Sequence, residues 1–285
     1  GKLRNSGFEF DLNVKLIQKK DWYWDMSVNG YTYANKMLNL PDEYKVSGMP
    51  NGNQRIYEGK DIYRWEMRQF AGLDEKGNSL WYMDQDILDD AGNVVGVEKV
   101  TTGDATEATQ YLLEKSALPD FTGGLNTTLR WKSLDLTIMT NFQFGGYGYD
   151  YDFSAFSSAN FPMNRLKNYA DAWNPETGKG SAPIWNTNDS NINASSDRFL
   201  ISKTYFNLRN ITLGYTFPAN WMSKIGIKSV RVYFACDNVF FASKRKGYDP
   251  RTSMGGQGAT VALNSVDGTY YSPIRTTSVG LNINF

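Results

Sequence analysis

The side chains in this sequence best suited to chemistry are aromatic. Tyr57, Trp65, Trp81, Tyr147, Tyr149 and Trp185, with Tyr63, Tyr82 and Tyr151 beside them, stand in polar stretches rich in Gly, Asn, Asp and Ser. A ring face held in such a stretch can stack on the apolar C–H face of a sugar or on a peptide side chain. Nearby amides and hydroxyls then bind the polar edge. The competing use of the same rings is to pack the loops against each other or against a covering protein.

Acid–base and metal chemistry find little to work with. Histidine is absent, which removes His-based triads, His–metal sites and the usual proton-transfer group at neutral pH. Asp89/Asp90 and Asp150/Asp152 have the residue types of a glycosidase acid and base. Neighbouring carboxylates on polar loops are ordinarily just solvated, so no catalytic residue is assigned and the chain is not expected to be an enzyme. Asn186-Thr-Asn-Asp-Ser-Asn191 and Asp84-Gln-Asp86 offer oxygen ligands to Ca²⁺, but neither has the spacing of a calcium loop. Turn chemistry accounts for both, and no metal or cofactor is expected. Gly145-Gly-Tyr-Gly148 lacks the Lys of a phosphate cradle. Lys plus Arg equals Asp plus Glu at 30 each, so no net field favours nucleic acid. Cys236 is the only cysteine, so no disulfide forms within the chain.

The frame that must position these loops is written in period two. In Ser278-Val-Gly-Leu-Asn-Ile-Asn-Phe285 one strand face carries Val279, Leu281, Ile283 and Phe285, and the other carries Ser278, Gly280, Asn282 and Asn284. About seven such runs are found: Gly7 to Lys19, Trp22 to Asn35, Phe121 to Trp131, Leu134 to Phe144, Ile201 to Phe217, Val230 to Phe240 and the terminal one. The fifth changes phase along its length, so its faces stay unassigned. The connections between runs alternate short and long throughout. That is the order of a transmembrane β-barrel with tight turns at one membrane face and long loops at the other, apolar outside and polar inside. Trp22, Trp24 and Trp131 all lie next to short turns, which puts them at one bilayer interface. No apolar run is long enough for a spanning helix, and no signal peptide stands at the start. Single-chain bacterial barrels have even strand numbers, so seven strands are expected to be one part of a larger barrel. A soluble antiparallel sheet with decorated loops is the alternative, against which the length of the runs argues.

Several segments resemble one family. Leu3-Arg-Asn-Ser-Gly-Phe-Glu-Phe10 with Asp21-Trp-Tyr-Trp-Asp-Met-Ser-Val-Asn29 is similar to paired strands of SusC/RagA-type TonB-dependent outer-membrane transporters. So are Leu118 to Asn126, Tyr169 to Pro175, Tyr205 to Pro218, Val230 to Phe240, Lys246 to Pro250 and Arg275 to Phe285, in family order along nearly the whole chain. The resemblance implies an all-β fold in which residues 1–285 supply the C-terminal strands of a 22-stranded antiparallel barrel. The plug domain, the TonB box and the N-terminal strands would lie outside this sequence. It further implies a Gram-negative, Bacteroidota-type outer membrane, extracellular loops and a periplasmic C-terminus. The implied partners are a SusD-like lipoprotein lid and the TonB–ExbB–ExbD complex, and the implied activity is import of glycans or peptides. Barrel closure and the assembly signal would fall to Val279, Leu281, Ile283 and Phe285. The stretch from Asp84 to Lys115 has no counterpart in the family pattern.

The function expected is therefore energised nutrient import. A non-transporting glycan-binding or adhesion barrel is the alternative, and a soluble glycan-active β enzyme is disfavoured by turn order and strand length.

Overall fold

The computed structural model describes residues 1–157, 171–186, 189, 191–222, 224, 226–244 and 274–285. In chain order the first connection is short: β1 (Lys2–Gln18) turns into β2 (Trp22–Asn39). Seven shorter strands follow: β3 (Met49–Asn51), β4 (Gln54–Ile56), β5 (Arg64–Arg68), β6 (Phe70–Leu73), β7 (Ser79–Leu88), β8 (Val94–Thr102) and β9 (Gln110–Ser116). Then come β10 (Pro119–Trp131), β11 (Leu134–Gly145), β12 (Tyr147–Tyr149) and α1 (Tyr151–Phe156). The remainder is β13 (Leu200–Ser202), β14 (Tyr205–Thr216), α2 (Ala219–Met222), β15 (Ser229–Ser243) and β16 (Thr276–Asn284).

The seven period-two runs form one antiparallel sheet in the order β1-β2-β10-β11-β14-β15-β16, with every neighbour adjacent in the expected sequence. The sheet is open, since β1 and β16 do not pair with each other. All three long connections (39–119, 145–205 and 243–276) leave from one end of the sheet, and the short ones cluster at the other. Two strands reach further than alternation suggested: β1 starts at Lys2 and β2 runs to Asn39. The fifth run begins at Tyr205, because Leu200–Ser202 leaves the sheet to pair with Tyr147–Tyr149.

Register converts alternation into two faces. One cross-sheet row reads Trp22, Trp131, Leu134, Tyr215, Val232, Leu281, and the next reads Trp24, Leu129, Leu136, Leu213, Phe234, Val279. A parallel row on the opposite face reads Lys15, Asp25, Thr128, Thr137, Thr212, Ala235, Ser278. The phase change in the fifth run is a β-bulge: the register slips between Met139 and Thr140 on one side of β14 and between Leu208 and Asn210 on the other. The slip carries Leu208 and Phe206 onto the face of Ile211 and Leu213, so the apolar surface is unbroken. Cys236 lies on that face between Ile211 and Thr277, as a small apolar side chain would.

Aromatic rings band this face at two heights. Trp22 and Trp131 meet at 5.7 Å near the short turns, with Trp24 alongside. Near the long connections Phe8, Phe10, Phe121, Phe142 and Phe144 form a chain of ring contacts between 5.6 and 6.4 Å. Phe121 and Trp131 mark the two bands on β10, ten residues apart. At about 3.3 Å per residue and a tilt of roughly 40°, that separation spans about 25 Å, the height of a barrel's apolar belt.

The first long connection has a fold of its own. One sheet runs β3-β4-β5-β9 and a second runs β6-β7-β8. Trp65, Met67 and Leu113 from this connection share a core with Tyr149 and Phe199 from the next, so two connections form one loop layer. Met37 of β2 packs with Leu40 and Ile56 and ties that layer to the wall.

Close strand approach depends on a glycine at position 7, where an added Cβ would lie 2.2 Å from the Thr32 carbonyl oxygen. Gly7→Val is expected to destabilise the purified full-length barrel by about 1–3 kcal/mol through overpacking. Gly96→Val, whose Cβ would meet only Ile87 at 3.6 Å, should leave the thermal midpoint nearly unchanged. Equal shifts for the two variants would refute the role given to Gly7.

Candidate functional site: the polar wall and the loop layer

The polar face of the wall is a lattice of hydrogen bonds between strands. Asn207 Nδ2 donates to Asn141 Oδ1 at 2.9 Å, and Asn141 Nδ2 donates to Tyr205 Oη at 3.2 Å. Asn210 Nδ2 donates to Asp237 Oδ1 at 2.8 Å. Nearer the short turns, Arg231 grips Asp135 with two bonds, Nε to Oδ1 at 3.0 Å and Nη2 to Oδ2. The guanidinium lies over Gly214, where a Cβ would sit 2.3 Å from Nη2, and beside the Tyr233 ring at 5.1 Å. Tyr233 in turn covers Gly280. Glycine beneath a long side chain lets these groups lie flat along the wall instead of projecting from it.

A cleft of about 700 Å³ opens where the loop layer meets the ends of β1, β2 and β10. Its charged lining is Lys36, Lys60, Arg64, Asp61 and Asp120. Arg64 is committed to two carboxylates, Asp61 in the lining and Glu114 outside it: Nε meets Asp61 Oδ2 at 3.2 Å and Nη1 meets Glu114. The Ser116 hydroxyl donates to Asp61 at 2.7 Å. Burial lowers the Arg64 proton affinity, but its bonds to Glu114 and Asp61 outweigh that and hold it up. Asn35 accepts from Ile62 N–H at 3.0 Å, and its buried Nδ2 has no partner among the described residues. These groups fix the loop layer on the wall and leave an amide donor at the junction.

The aromatic residues singled out from the sequence divide by burial. Trp65, Trp81 and Tyr149 are 1%, 2% and 3% exposed and form core, so their ring faces are covered by neighbours and not open to a ligand. This corrects the sequence expectation for those three: polar flanks hid strands that pair across distant parts of the chain. Trp65 Nε1 donates to the Tyr147 carbonyl at 3.1 Å. Tyr147 is half-buried, with the Lys115 ammonium 5.5 Å from its ring centre. Tyr57 is half-buried and donates to Glu66 at 3.0 Å; burial, then that bond, raises its pKa. Trp185 is exposed, beside the loop that docks its Ile184 N–H on Gly77. The structure thus joins Trp65, Tyr147 and Tyr149 in one cluster and leaves Tyr57, Trp81 and Trp185 apart.

The carboxylates are engaged in local structure. Asp84 accepts from Tyr111 Oη at 2.6 Å, and Lys99 sits 4.4 Å from the ring centres of both Tyr82 and Tyr111. Burial first, and that Asp84 bond second, push the Tyr111 phenol up to about 12. Asp89 accepts the Ala91 and Asn93 N–H groups within the β7–β8 turn, which lowers its pKa. Asp150 caps α1 by accepting from Phe153 N–H at 3.0 Å. The Asp152 side chain, parts of Asn186–Asn191 and of Tyr169–Pro175, and Lys246–Pro250 lie outside the described residues. Among the described residues no three Asp, Glu or Cys side chains are placed to share a metal ion. Val279, Leu281 and Ile283 stand exposed on the apolar face, with Phe285 also exposed.

Sequence reasoning passed over a second pocket, of about 320 Å³, lined by Gly52, Asn53, Tyr149, Tyr151, Ser154 and Ser195. Asn51-Gly52-Asn53 carries the signal of a turn and nothing more, because its partners come from a segment a hundred residues away.

No family profile matches the chain. Its whole length aligns with TonB-dependent receptor P3 of Formosa agariphila at 25% identity over 306 residues, covering 29% of that protein. It aligns likewise with TonB-dependent receptor SusC of Bacteroides thetaiotaomicron at 26% identity over 292 residues, covering 27% of it. In fold, 99% of the chain superposes on 29% of a chain of the RagAB peptide transporter, with a TM-score of 0.76 at 24% identity. The chain thus spans less than a third of the length of these relatives, which are receptors and transporters and not enzymes. With its two-faced wall, the chain is thus similar in sequence to a segment of TonB-dependent receptors and in fold to a segment of a chain of the RagAB peptide transporter.

Proposed function

We propose that this chain is wall and surface loops of an active importer, the C-terminal portion of a barrel whose plug and remaining strands lie elsewhere in the full-length protein. The observation that carries the reading is the sheet itself. Its seven strands present one continuous apolar face between two aromatic bands and one hydrogen-bonded polar face, with every long connection at the same end. An apolar outer belt and a polar lumen are what a transport barrel requires. The long-connection end is then extracellular, and the short turns and the end of β16 are periplasmic. The loop layer over the lumen is where substrate and a SusD-like lipoprotein lid are met. Energy arrives from TonB–ExbB–ExbD through the plug, and the substrate is a glycan or a peptide. Tyr57, Tyr147 and Trp185 remain the candidate stacking rings of the original set.

Two measurements test this. Uptake of labelled oligosaccharide and peptide pools should occur in cells expressing the full-length protein and vanish when TonB is removed. Binding without any TonB-dependent uptake would instead support a surface-binding barrel. Leu281→Arg, a charge on the lipid face, should cost roughly 2–4 kcal/mol and reduce assembled barrel in the outer membrane. An undiminished yield of folded protein would reverse the assignment of faces.

A further inference from the structure

We propose that the pocket between the β3–β4 turn and α1 binds one neutral sugar unit, a refinement that rests on the importer reading above. Its volume of about 320 Å³ is at the small end of ligand cavities, which run from ~300 to 1,000 Å³. That suits a single ring of an oligosaccharide and not an extended segment of chain.

None of the lining side chains is charged. An ionised ligand leaving water there would find no counter-charge in the lining, which selects against acidic sugars and charged peptide groups. What the lining offers is hydroxyl and amide. Tyr149 Oη donates to Ser154 Oγ at 3.1 Å, and the buried Ser195 hydroxyl has no hydrogen-bond partner among the described residues. Burial raises the Tyr149 pKa, so the phenol keeps its proton and this relay stays neutral. The Asn53 side chain makes no hydrogen bond among the described residues, so its carboxamide can both donate to and accept from a sugar hydroxyl. The Tyr151 ring is half-buried and fixed at 61° to the Tyr149 ring, 4.7 Å between centres, as a plate for a C–H face. Gly52, at φ 61°, places no side chain over the turn and admits a ligand to its backbone.

The test uses the detergent-purified full-length protein and calorimetry with maltohexaose, laminarihexaose and cellohexaose. Hexagalacturonate and a pool of charged hexapeptides serve as the competing classes. We expect a neutral oligosaccharide to bind and Asn53→Ala and Tyr151→Ala each to weaken it by about tenfold or more. Tyr151→Phe, which keeps the plate, should retain binding, and heat-modifiable gel mobility confirms that each variant is folded. The subsite is overturned if none of the three neutral sugars binds, if only the charged ligands bind, or if the alanine variants bind like wild type. TonB-dependent uptake by the same variants separates the two readings. Intact uptake with unweakened affinity removes the subsite alone, whereas no TonB-dependent uptake by wild type removes the importer reading.

Discussion

Everything in this chain depends on one constraint: at a lipid-facing surface the backbone N–H and C=O groups must find partners inside the sheet. A strand that changes face therefore cannot do so alone. The bulge in β14 shows how the constraint is met. Its register slips against β11 and against β15 at the same level, so Thr140, Leu208 and Phe240 stay in one row while the ladder closes around the extra residue. The outward polar groups obey the same rule. Trp24 Nε1 donates to Thr127 Oγ1 at 2.8 Å, and that hydroxyl donates to the Asp25 carbonyl at 2.7 Å, so a Thr on the apolar face is left with nothing exposed to satisfy.

The loop layer solves a different problem with different means. Its strands are mostly three to seven residues long, too short to hold a sheet by themselves. Stability comes from burying Trp65, Met67, Tyr149 and Phe199 in one cluster fed by two connections. The Arg64–Asp61–Ser116 group then fastens the β5 and β9 strands at the rim of the wall. Rigid packing of this kind, with the short helix α1 capped by Asp150, places a pocket such as that around Tyr151.

These two regimes explain what could be read from the sequence. Wall strands were legible because alternation is local: each of Phe8, Phe10, Leu12 and Val14 announces its face by its distance from the next. The β14 faces were not, since a single inserted residue reverses parity and only the neighbours' register shows where. The aromatic band of Phe residues also escaped notice, because its members sit on three strands and meet only through pairing. In the loops the same letters misled. Trp65 and Trp81 sit among polar residues, yet they are core because β5 pairs with β9 and Trp81 packs with Ala105, Ala108 and Ala194. Burial there is a property of contacts far apart in sequence, to which composition is blind.

The open edges complete the argument about what the chain can be. β1 offers a seventeen-residue edge and β16 a nine-residue edge, each with half its ladder unfilled. In water such edges invite aggregation, and in hydrocarbon each unmet group costs several kcal/mol. Stabilising burial does not offset that here, because the apolar face, with Phe8, Leu12, Val279 and Leu281 exposed, has no second layer over it among the described residues. Lipid against the apolar face and further strands along both edges, the surroundings a closed transmembrane barrel supplies, would satisfy such a sheet. The polar loop layer, with its own core, has no such requirement and can stay in water.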